Sequence, residues 1–136
     1  MPDRREPKPT LPAVLLVEDN PADVLLVRKA LQDRCTPVHL TVADNGHDGL
    51  ALLMHGMKTP DLVILDLNLP RLDGFGVLAG YKPRIAPVVV FSSTQNAEEV
   101  EKALALGANE FVHKPGDLSS FMKAIQQMIG KFIPKS

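Results

Sequence analysis

Three observations predict an α/β fold built on one parallel sheet. Short apolar runs alternate five times with segments of helical periodicity. Two of those runs, Val14–Val17 and Val88–Phe91, are continuously apolar, as strands covered on both faces require. The composition, 45% hydrophobic and 23% charged over 136 residues, suits one ordinary domain with a buried core.

The elements follow in order. Met1–Pro12 is polar, charged and rich in proline, which predicts a flexible arm. The first strand is Ala13–Val17. Asn20-Pro21 then supplies an N-cap and a proline at the first helical position, where its missing N–H costs nothing. Val24, Val27 and Leu31 line one face of that helix. The second strand, Val38–Val42, is more polar and suits a sheet edge, and Gly46–His55 reads as a short helix. The third strand is Leu62–Asp66, followed by a helix over Gly74–Tyr81 that Gly76 and Gly80 each weaken by about 1 kcal/mol relative to Ala. Val88–Ser92 is the fourth strand. Ala97–Leu106 is the fourth helix, with Gly107 as its C-cap. The fifth strand, Glu110–His113, is again more polar. In the last helix Leu118, Phe121, Met122, Ile125, Met128, Ile129 and Phe132 recur at spacings of three and four, an apolar stripe.

Strand and helix in fivefold alternation predict helices on both faces of the sheet. Right-handed crossovers suggest the order 2-1-3-4-5, a flavodoxin-like doubly wound (βα)5 sandwich over residues 13–133. Residues 134–136 are expected to be a short tail, with no output domain expected after this unit.

Composition excludes several classes. Fifteen Lys and Arg against sixteen Asp and Glu give a net charge of -1, a poor match for gripping nucleic acid. The one cysteine, Cys35, excludes an intrachain disulfide framework and a four-cysteine zinc site. No apolar run approaches the ~20 residues of a membrane span, and no signal peptide is evident, so a cytoplasmic setting is expected.

In doubly wound folds ligands sit beyond the carboxyl ends of the strands. There the first strand ends in Glu18-Asp19, the third in Asp66, the fourth in Ser92-Ser93-Thr94 and the fifth in His113-Lys114-Pro115. Three unpaired carboxylates in one cleft raise one another's pKa and call for a cation. Hard oxygen donors suit Mg²⁺. A metal, a lysine and a hydroxyl around a carboxylate make a plausible phosphoryl-transfer site. His39, His47, His55 and His113 share no metal-ligand spacing, and alternation points His113 away from Lys114.

The set Val17-Glu18-Asp19-Asn20, Asp66-Leu67-Asn68-Leu69-Pro70, Asp73-Gly74, Ser92 and Lys114-Pro115 resembles a response-regulator receiver domain of two-component signalling. Val17–Asp23 and Asp66–Pro70 look most like stand-alone receivers paired with bacterial phytochrome-type histidine kinases. The resemblance implies that Asp66 accepts a phosphoryl group from a histidine kinase or phosphotransfer protein in a phosphorelay. Mg²⁺, or Mn²⁺ in its place, would bind Asp19, Asp66, the backbone carbonyl of Asn68 and Glu18, the last directly or through water. Lys114 would pair with Asp66 and later with the phosphoryl group. Ser92 would be the switch hydroxyl. Phe111 is read equally as the switch aromatic and as a packed strand residue. Asn68 and Thr94 would tune dephosphorylation. The output would be a changed surface on helix 4, strand 5 and helix 5, offered to a downstream partner or a homodimer, with no nucleic acid or membrane involved. The resemblance also associates a cis bond with Lys114-Pro115, whose isomer the sequence leaves open.

Two rivals share the ingredients. A phosphorylation-independent adaptor on the same fold would not need the full acidic set. A phosphatase of the haloacid-dehalogenase class would place a second Asp where Asn68 stands. Neither a general phosphatase nor another turnover enzyme is therefore expected.

Overall fold

The structure is a computed structural model that describes residues 11–33 and 37–133. Residues 1–10 of the arm expected over Met1–Pro12, Cys35 and residues 134–136 lie outside the described residues.

Five parallel strands, β1 (Ala13–Val17), β2 (His39–Ala43), β3 (Leu62–Leu65), β4 (Val88–Ser92) and β5 (Glu110–His113), form one sheet in the order β2-β1-β3-β4-β5. The helices are α1 (Pro21–Gln32), α2 (Gly46–Ala51), α3 (Gly74–Gly80), α4 (Ala97–Ala105) and α5 (Leu118–Phe132). The doubly wound arrangement expected from the sequence is thus the one formed.

The central strands β1, β3 and β4 are almost wholly buried, and their alternate residues feed two cores. Val14, Leu16, Ile64 and Phe91 face α1 and α5, where Val27, Phe121, Ile125 and Ile129 complete one cluster. Leu15, Val17, Leu65 and Val90 face the other helices and pack with Val77, Leu78 and Ala103. Burial of these side chains on both faces explains why the runs carry no polar alternation.

Five boundaries differ from the sequence expectation: α3 and α4 each end one residue early, at Gly80 and Ala105, and the other three have local reasons. β2 runs one residue later than Val38–Val42, because its register pairs Ala13 with His39 and Val17 with Ala43. The ladder opens where the His39 amide donates to the Pro12 carbonyl at 2.8 Å. β3 stops at Leu65; the Asp66 amide still reaches the Val17 carbonyl at 3.0 Å, but the Leu67 amide turns to the Asp66 side chain. The expected second helix is α-helical only to Ala51 and continues as a wider π-helical turn over Leu52–Gly56. That turn keeps Leu52 and Leu53 on the same apolar cluster as Met57, which follows them by five and four residues.

Leu118 also departs from the expected stripe. It opens α5 and is 54% exposed, beyond the reach of the core that buries Phe121, Ile125, Met128 and Ile129. Covering by the sheet and α1 accounts for the rest of the stripe.

Two loops hold the ends of the helices. At the C-terminus of α4 the Gly107 amide donates to the Leu104 carbonyl and the Ala108 amide to the Ala103 carbonyl, with Gly107 at φ +108°. This is a Schellman cap, which requires the left-handed conformation that glycine tolerates. Arg84 donates to the carbonyls of Gly107, Leu78 and Leu106 at 2.8, 2.8 and 2.9 Å, tying the ends of α3 and α4 together. The cis peptide bond among the described residues is Lys82-Pro83, not Lys114-Pro115.

Candidate functional site

The carboxyl ends of β1, β3 and β5 open into one cleft of about 680 Å³, large enough for a hydrated cation and a phosphoryl group. Adjacency is set by the sheet: β1 is paired with β3, so Glu18-Asp19 and Asp66 leave neighbouring strands at the same level. Oxygens of Glu18, Asp19 and Asp66 lie within 4.8 Å of one another. Glu18 and Asp66 are buried and Asp19 is exposed.

Local hydrogen bonds orient the acids. Glu18 Oε2 accepts from the Asn20 amide at 3.2 Å, at the entry to α1. Asn20 caps that helix by accepting from the Ala22 amide at 2.9 Å. Asp66 Oδ1 accepts from the Leu67 amide at 2.8 Å. The other Asp66 oxygen faces Lys114.

Lys114 is carried by the chain leaving β5, where its amide donates to the Ser92 carbonyl at 2.8 Å. Its ammonium lies 2.6 Å from Glu18 Oε1, 2.8 Å from Asp23 Oδ2 and 3.5 Å from Asp66 Oδ2. It therefore pairs most closely with Glu18 and Asp23, and less closely with the Asp66 that the sequence reading placed beside it. The Phe91 ring, in edge contact with Phe121, forms an apolar floor 5.9 Å from the ammonium.

The electrostatics follow from this packing. Burial raises the Glu18 carboxyl from 4.5 to about 7, and the nearby Asp66 charge adds to the rise, while Lys114 and the Asn20 amide pull against it. Burial disfavours the Lys114 charge too, but the bonds to Asp23 and Glu18 and the Asp66 charge prevail and its pKa is raised. The site holds a charged lysine beside more negative charge than one lysine can neutralise.

That donor set fits a divalent cation of the Mg²⁺ or Mn²⁺ kind: three carboxylates converge, all donors are hard oxygens, and one face is open to solvent.

The remaining expected residues are placed less simply. Asn68 is exposed and lines the cleft. Ser92 is completely buried, its Oγ accepting from the Thr94 amide at 3.3 Å, and it is the neighbouring Ser93 that lines the cleft. The Thr94 hydroxyl donates to Glu99 on α4 at 2.5 Å, away from the cleft. Phe111 is half-buried against the α3–α4 side of the core. His113 is exposed, as strand alternation requires.

Asp23 went unassigned in the sequence reading. Its only signal was position, one turn after Asp19 in the first turn of a helix whose N-terminus sits over the strand ends.

The chain belongs to the response regulator receiver domain family, whose model matches residues 14–126. It is 33% identical over 122 residues to the response regulator Rcp1 of Synechocystis, covering 83% of each chain. It is also 34% identical to a protein-glutamate methylesterase/protein-glutamine glutaminase of Archaeoglobus fulgidus, but there the match takes in 87% of this chain and 34% of the relative. The phosphorylated cyanobacterial phytochrome response regulator RcpA superposes with a TM-score of 0.86 at 29% identity, covering 93% of this chain and 97% of the other. The Mn²⁺-bound form of Rcp1 does so with a TM-score of 0.82 at 30% identity, covering 92% and 97%. The bacteriophytochrome response regulator AtBRR is 37% identical, with a TM-score of 0.69 and coverage of 87% and 92%. No helix among the described residues is long and apolar enough to cross a membrane.

Proposed function

We propose that this receiver is switched by phosphorylation of Asp66. The observation that carries the reading is the convergence of Glu18, Asp19 and Asp66 oxygens within 4.8 Å, with the Lys114 ammonium 3.5 Å from Asp66. The donor is phosphohistidine on a sensor histidine kinase or a phosphotransfer protein. An Asp66 oxygen lone pair forms the new O–P bond as the N–P bond breaks. The released electron pair returns to the imidazole, which takes up a proton.

Glu18, Asp19, Asp66 and the Asn68 backbone carbonyl would hold Mg²⁺, with Mn²⁺ as a substitute. When bound, the cation neutralises charge on the phosphoryl oxygens. Lys114 donates to a phosphoryl oxygen from the other side. Ser92 exchanges the Thr94 amide for a phosphoryl oxygen, drawing its loop inward, and Phe111 follows. The surface of α4, β5 and α5 then shifts between two populations that downstream partners distinguish. Asn68, exposed over the site, and Thr94, once released from Glu99, set the approach of hydrolytic water.

The relatives named as phytochrome response regulators support a bacteriophytochrome-type kinase as the cognate donor, and we propose that the exchange takes place in the cytoplasm. A downstream protein, a phosphotransfer partner or a second copy in a homodimer reads the switched surface. Apart from gaining and losing its own phosphoryl group, the domain turns nothing over.

The test is intact mass after incubation with acetyl phosphate and Mg²⁺. A gain of about 80 Da, the mass of one phosphoryl group on a carboxylate, is expected. It is lost in Asp66→Asn and without the metal. Absence of the adduct with both acetyl phosphate and a phosphorylated histidine kinase would leave the fold acting as an adaptor.

A further inference from the structure

One carboxylate in the cleft has no part in the metal triad. Asp23 Oδ2 stands 2.8 Å from Lys114 Nζ, nearer than Asp66 at 3.5 Å. The contact is sheltered, the two side chains being 20% and 10% exposed. It joins the first turn of α1 to the end of β5, across 91 residues of chain.

An ammonium has three donors. Lys114 commits hydrogen bonds to Glu18 and Asp23 and meets Asp66 only at the longer distance. A divalent cation on Glu18, Asp19 and Asp66 would draw Glu18's charge to itself. Asp23, outside that set, would keep its full claim on the ammonium. Its own negative charge also faces any phosphoryl donor entering the cleft.

We infer that Asp23 is a positioning residue that holds Lys114 back from Asp66 and competes with the phosphoryl group for it. This rests on the reading of Asp66 as the acceptor. Asp23 thereby sets how readily the site charges: it favours the cation and opposes the phosphoryl dianion.

Asp23→Asn removes the charge while keeping the shape and an acceptor oxygen, and Asp23→Glu restores the charge. The adduct of about 80 Da is followed by intact mass against acetyl phosphate and against Mg²⁺ concentration. In Asp23→Asn the half-saturating acetyl phosphate should fall about fivefold and the half-saturating Mg²⁺ should rise about fivefold, the effect of one carboxylate charge across a partly solvated cleft. Asp23→Glu should return both toward wild type. General damage to the fold would raise both requirements together, and that result overturns the inference, as does no change in either.

A second measurement does not depend on phosphorylation. The Lys114 ammonium nitrogen resonance of the metal-free protein should shift in Asp23→Asn, and an unchanged resonance overturns the inference. If the wild type forms no adduct, the acceptor reading fails, and this resonance together with direct calorimetric titration of Mg²⁺ still decides the role of Asp23.

Discussion

Glu18 should make the metal-free protein less stable as pH rises through the neutral range. Its side chain is 3% exposed, and burial first, then the Asp66 charge, raises its pKa from 4.5 to about 7. The folded state therefore binds a proton more tightly than the unfolded chain does. Where the native state holds more protons, stability falls with rising pH. The contribution is fully present below pH 4.5 and is lost as pH passes about 7. Each pKa unit is worth ~1.4 kcal/mol, so the loss is on the order of 3 kcal/mol. Glu18→Gln keeps the shape and an acceptor for Lys114 but cannot titrate. Urea unfolding in chelator between pH 4.5 and 8 should show the wild type losing about 3 kcal/mol more than the variant. Saturating Mg²⁺ should flatten the difference, because a cation that binds only the folded, ionised site adds stability as pH rises. Parallel pH profiles for wild type and variant would refute this account of Glu18.

Further variants probe the frame around the site. A Cβ on Gly74 would stand 2.4 Å from the Asp66 carbonyl oxygen and 2.8 Å from Leu67 Cα, both backbone atoms with little room to yield. Gly74→Ala should cost about 2–3 kcal/mol in urea unfolding and slow phosphoryl uptake by displacing the Asp66 loop; wild-type stability and uptake would count against that packing. Arg84→Met keeps the apolar stem but removes three carbonyl contacts between the ends of α3 and α4. It should cost about 2 kcal/mol of stability while leaving Mg²⁺ affinity intact, which thermal melting and calorimetry check separately.

The architecture was legible because it rests on local patterns. Val14–Val17 and Val88–Phe91 suited strands buried on both faces, and Asn20-Pro21 announced a helix start. The acids Glu18, Asp19 and Asp66 were legible for a related reason: in a doubly wound sheet, a residue at a strand's carboxyl end faces the ligand site wherever its neighbours lie. Strand order then brought them together.

The rest depended on three-dimensional packing. Leu118 belongs to the stripe by spacing, yet the core ends one turn below it. Ser92 and Ser93 are adjacent, and only the strand's exit from the sheet buries one and turns the other into the cleft. Thr94 points where Glu99 of α4 draws it. Lys114 has three carboxylates within 3.5 Å, and Glu18 at 2.6 Å and Asp23 at 2.8 Å hold it more closely than Asp66 at 3.5 Å, although both lie more than ninety residues away along the chain. The sequence by itself determined the sheet, its order and the acids at its rim, because periodicity and strand-end position follow from local geometry. Only the tertiary structure decided that Asp23 joins them at Lys114, because the angle at which α1 lies on the sheet is set by the packing of its buried face against α5 and the strands.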